Sequence, residues 1–62
     1  MGRYDAQIEK SKQMLADAEA DYAKRAARTD LPRSTREFVL AEAQRRIDEA
    51  KGMIETFTKA NR

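Results

Sequence analysis

A chain of 62 residues without Cys, His or Trp makes one small domain at most, with no disulfide and no thiolate or imidazole metal site. Thirteen basic residues nearly cancel eleven acidic ones, and the net charge of +2 is too small to imply nucleic-acid binding by itself. No apolar run approaches the ~20 residues that span a bilayer, and the first residues lack the apolar stretch of a secretory signal. The expectation is a soluble, cytoplasmic protein with no membrane role.

The first predicted element is a helix over 4–28, where helix formers dominate and neither Gly nor Pro occurs. Tyr4, Ile8, Ser11, Leu15, Ala18 and Tyr22 recur at alternating spacings of four and three, which lines them on one face. Ala16, Ala20, Ala23 and Ala27 make a second stripe. It reads either as plain helix propensity or as a surface where another helix can approach closely. Arg25 and Arg28 fall in the last turns, where cations suit the carbonyl end of the helix.

Residues 29–34 form the break. Pro32 disfavours a helical conformation at Leu31. Ser34 followed by Glu37 fits a capping box opening the next helix; alternatively Asp30 caps, with Pro32 in the first turn.

The second helix is expected over 35–60. Leu40, Ala43, Ile47, Ala50, Ile54, Phe57 and Asn61 follow at three, four, three, four, three, four, a heptad seam with large and small residues alternating. Val39 and Met53 widen it, and Gly52 falls on the opposite side. Asp21 to Arg25, Glu42 to Arg46 and Glu55 to Lys59 are acid-then-base pairs four apart, the favourable order on a helix.

Folding about Pro32 brings the seams together. Tyr22 meets Leu40, Leu15 meets Ile47, Ile8 meets Ile54 and Tyr4 meets Phe57, with Ala18 near Ala43 and Ser11 near Ala50. The fold class is therefore all-α, a two-helix antiparallel hairpin. A lone hairpin of this size is marginal and leaves its wide seams partly wet. The expected remedy is a homodimer forming a four-helix bundle. Its interface residues would be Ile8, Leu15, Ala18, Tyr22, Leu40, Ala43, Ile47, Ala50, Ile54 and Phe57.

Chemistry is sparse. Ser11 and Ser34 have no His to activate them, and the carboxylates Asp17, Asp21, Glu42, Asp48 and Glu49 sit on polar faces beside Lys and Arg. No enzyme, cofactor or metal is expected. The informative region is 24–36, where Lys24, Arg25, Arg28, Arg33 and Arg36 face only Asp30, a local +4. Such a tip suits phosphate or an acidic protein surface; the plainer reading is compensation of a helix end. Leu31 and Phe38 either fold under the loop or form an apolar spot among the arginines, the composition of an interaction hot spot.

In length, two-helix layout and alternating core layers the chain resembles the small plasmid-encoded Rop-type hairpins, which form antiparallel dimers that bind RNA loops. The segment Ser34-Thr35-Arg36-Glu37-Phe38-Val39-Leu40-Ala41 resembles the second helix of ribbon-helix-helix antitoxins, which would require Tyr4, Ala6 and Ile8 to alternate along a strand. The function expected from the residues is non-enzymatic. It is an adaptor or inhibitor that self-associates through its seams and docks on a larger protein through Leu31, Phe38 and the five tip cations. The alternatives are a regulator that binds RNA or DNA through the tip, and a bundle that holds a phosphorylated small molecule.

Overall fold

The computed structural model describes residues 2–61. Two helices, α1 (Asp5–Ala26) and α2 (Arg33–Ala60), pack against each other as an antiparallel hairpin. The apolar periodicity explains why: each helix has one apolar face and neither can bury it alone. The hairpin measures 48 × 14 × 9 Å, a single layer of helices. Where a domain ordinarily encloses its core between two layers, this one has only a line of contact.

That line is made by small side chains. Ser11 of α1 and Ala43 and Ala50 of α2 are each 1% exposed, and Ile47 joins them in the buried set. The larger seam residues Ile8, Leu15, Tyr22, Leu40, Ile54 and Phe57 are only half-buried. Small residues let the backbones approach, and the large ones reach past the contact line onto the flanks. Ser11 pays no penalty for its burial, because its hydroxyl donates to the Gln7 carbonyl one turn earlier at 2.8 Å.

The register is fixed at both ends. At the open end the Tyr4 and Phe57 rings lie 5.4 Å apart, tilted by 33°, as the paired seams predict. At the other end Arg36 of α2 donates to the Ala26 carbonyl of α1 at 2.7 Å. The three four-apart pairs also form, Asp21–Arg25 at 3.0 Å, Glu42–Arg46 at 3.4 Å and Glu55–Lys59 at 3.0 Å. Each adds a few tenths of a kcal/mol, about 0.2–0.5.

Several expectations need correction. Neither cap between the helices forms as read from the sequence. Pro32, at φ −58° and ψ 152°, is itself the N-cap, with no side-chain cap hydrogen bond. Its carbonyl accepts the Arg36 amide at 2.8 Å. Proline's fixed φ already suits this non-helical position, so the helix starts at Arg33 and Ser34 lies inside it. Glu37 pairs with Arg33 at 3.3 Å instead of closing a capping box, and Asp30 pairs with Arg28. The first helix ends two residues before the expected 28. Ala6 and Ile8 lie in α1, so the strand required by the ribbon-helix-helix likeness is absent there. Ala16, Ala20, Ala23 and Ala27 are all exposed on the hairpin. Gly52 is exposed, as its place opposite the seam predicts, and a Cβ added there meets nothing within 4 Å.

Candidate functional site

The hairpin tip is the candidate from sequence, and there Arg25 and Arg36 reach across the helix pair. Most of the tip cations already have partners. Arg25 lies half-buried, with Nε 3.0 Å from Asp21 Oδ2 and Nη1 donating to the Val39 carbonyl at 2.9 Å. The Asp21 contact is one of charge without hydrogen-bond alignment, and Asp21 Oδ2 has no hydrogen-bond partner among the described residues. Arg36 is spent on the Ala26 carbonyl, satisfying one of the orphan acceptors at the end of α1. Arg28 binds Asp30 through both Nε and Nη2, at 3.2 and 2.9 Å. That hydrogen bond, with a backbone hydrogen bond second, holds the Asp30 carboxyl below the ordinary range, and Asp30 in turn raises Arg28. Arg33 is exposed and paired with Glu37. Lys24 is exposed and has no acid at ion-pair distance among the described residues.

Phe38 does not fold under the loop. It is 69% exposed, the most exposed large apolar side chain described, while Leu31 is half-buried. With Ala41, Glu42 and Arg45 it lines a shallow depression on the outer face of α2.

Two depressions that share Met14 make a longer groove along one flank of the hairpin. Met14 sits in its middle. Toward the tip it is walled by Asp17, Ala18, Asp21, Arg46 and Glu49, and toward the open end by Lys10, Met53 and Phe57. Met14 and Met53 are 44% and 37% exposed. Met53 was legible as the widened edge of the second seam, whereas Met14 falls one residue before Leu15 and is hidden by the stronger repeat.

The expected interface residues divide in the same way. Ala43, Ile47 and Ala50 are consumed by contact within the hairpin, while Ile8, Leu15, Ala18, Tyr22, Leu40, Ile54 and Phe57 keep part of their surface accessible. Among the described residues no group of three carboxylates converges as a metal site would require, and no helix is long and apolar enough to cross a membrane.

These features define a small helical hairpin that presents apolar surface on a flank and at an exposed aromatic. Comparison with protein-family models, curated proteins and solved structures gave no match.

Proposed function

We propose that the chain is a small non-enzymatic interaction protein that self-associates and docks on a larger protein, as an adaptor or an inhibitor. The observation that carries this reading is the exposure of Phe38, 69% accessible beside Arg45 on α2. An aromatic next to an arginine is the composition of an interaction hot spot, and the ring is favourable to bury against a partner. The matching surface would hold an apolar pocket for the ring, with a carboxylate at its rim for Arg45. Self-association is supported by the thin core, in which Ile47 is the only large apolar side chain classed as buried among the described residues.

The alternative, a phosphate-binding tip for RNA, DNA or a phosphorylated small molecule, loses ground to the geometry. Arg25 and Arg36 each already give a guanidinium N–H to a backbone carbonyl, and Arg28 and Arg33 are paired with carboxylates, so an anion would compete for donors already in use.

Affinity capture with wild-type protein and with Phe38→Ala separates the two. A bound protein that survives nuclease and 0.5 M salt (about a 4 Å Debye length) and is lost with Phe38→Ala supports docking. Capture that depends on nucleic acid, falls steeply with salt and ignores Phe38→Ala removes it.

A further inference from the structure

We infer that the Met14 groove is the seat of a second copy of this chain, packed antiparallel about a two-fold axis that crosses both helices at the level of Met14. This rests on the self-association proposed above and adds its face and its orientation.

Area supplies the first support. The hairpin exposes 4920 Å², whereas a compact chain of its 7.1 kDa mass exposes about 4,100 Å². The surplus is roughly 800 Å², the area each partner loses in a standard protein interface. A hairpin 48 Å long and 9 Å thick has this excess because two helices in a single layer leave their faces without neighbours.

Charge supplies the second, and it selects the symmetry. Lys10 and Asp17 lie two turns apart on the groove side of α1, with Met14 close to midway between them. Arg46 and Glu49 lie one turn apart on the groove side of α2, their midpoint between Ile47 and Asp48. Tyr4 against Phe57 at one end and Ala26 against Arg36 at the other put Met14 level with Ile47 and Asp48. The two midpoints therefore coincide.

A single two-fold axis at that level, lying in the plane of the groove, lays α1 on α1 of the second copy and α2 on its α2. Lys10 then faces Asp17 of the second copy, and Arg46 faces its Glu49, each pair occurring twice. Met14 meets Met14 of the second copy at the centre, where a flexible thioether fills an irregular gap well. The two basic tips go to opposite ends of hairpins 48 Å long, far beyond the reach of screened repulsion. An axis running along the helices does the opposite. It sets the two +4 tips side by side and brings Asp21 close to Glu42 of the second copy.

The chain has no Cys of its own, so single cysteines report the geometry cleanly. With sedimentation equilibrium showing a dimer, Met14→Cys is expected to bridge under mild oxidation, because only positions near the axis approach closely enough, and Arg28→Cys is expected not to. Lys10→Glu should raise the dimer dissociation constant about tenfold, and adding Asp17→Lys should restore it to within about twofold. Circular dichroism on each variant confirms that the helices remain. Bridging at Arg28→Cys in place of Met14→Cys overturns the orientation while leaving self-association standing. A dimer indifferent to Lys10→Glu overturns the charge pairing. A wild-type chain that is helical and monomeric at every concentration overturns the self-association itself.

Discussion

The two ends of the hairpin solve one problem with opposite chemistry. At the open end the start of α1 lies beside the finish of α2, and beside the Tyr4–Phe57 ring pair a neutral side chain makes the hydrogen bonds between them. Asn61 accepts from the Tyr4 amide through Oδ1 at 2.8 Å and donates through Nδ2 to Asp5 Oδ1 at 2.8 Å. Asp5 also accepts from the Gly2 amide at 3.0 Å. At the tip the finish of α1 lies beside the start of α2, and cations do the joining, Arg36 to the Ala26 carbonyl and Arg25 to the Val39 carbonyl. Neither helix has a side-chain cap of its own at its N-terminus. Both ends of α1 are held by groups from the far side of the hairpin, Asn61 at its start and Arg36 at its finish, so these ends and helix pairing stabilise each other and should be lost together.

The sharpest way to break both ends at once is to remove the line between them. Ile47→Asp places a charge at a buried position with no cation to meet it, at a cost of about 3 kcal/mol or more. For a hairpin this thin that is expected to abolish helicity, dimerisation and partner binding together, read by circular dichroism and sedimentation. A folded monomer carrying Ile47→Asp would show that the seam is not what holds the helices.

The ends themselves are next in size. Arg36→Met keeps the stem but strips the charged donor from the part-buried Ala26 carbonyl, an expected loss of about 1.5–3 kcal/mol. Asn61→Ala removes one part-buried hydrogen bond, from the Tyr4 amide, and one exposed hydrogen bond, to Asp5, an expected loss of about 1–2 kcal/mol. Hydrogen exchange should separate them. Arg36→Met should accelerate exchange around residues 23–40, and Asn61→Ala around 4–8, with little crossover. Uniform acceleration in both variants would mean that the hairpin opens as one unit and that the ends have no separate stability.

What the sequence revealed and what it concealed follow the same division between periodic contact and single-residue closure. The three-four spacing located Ala43, Ile47 and Ala50 at the contact line and paired Tyr4 with Phe57, because periodicity is set by helix geometry and survives any detail of the turn. It even placed Ser11 against Ala50 in a thin layer, and Ser11 is buried. The caps were misread because Ser34 with Glu37 and Asp30 with Pro32 are both local signatures, and the winning arrangement depends on where Pro32 leaves its own carbonyl. The tip cations looked available because an arginine's bond to a carbonyl ten or fourteen residues away leaves no mark on local composition. Phe38 was ambiguous for a related reason. Its angle on α2 put it away from the seam, but only the path of residues 27–32 decides whether the loop reaches over it.

Acid should touch the tip through one pair, and only slightly. Asp30 is held below its ordinary value of 3.8 by the Arg28 hydrogen bond. A carboxyl lowered on folding contributes stability that is present above the unfolded-state value and is lost as pH falls through the folded-state value. Arg28 is raised from an already high value and stays charged throughout, so it opens no window of its own. Urea midpoints for wild type and Asp30→Asn are therefore expected to differ a little at neutral pH and to converge in acid, once the wild-type carboxyl is also neutral. Both groups are exposed, and exposed pairs are weakened by solvent and salt, so the gap should be much smaller than that of Arg36→Met. A neutral-pH gap as large as the Arg36 effect would mean that the loop is held by its surface ion pair, and the assignment of tip closure to arginine–carbonyl bonds would have to be reversed.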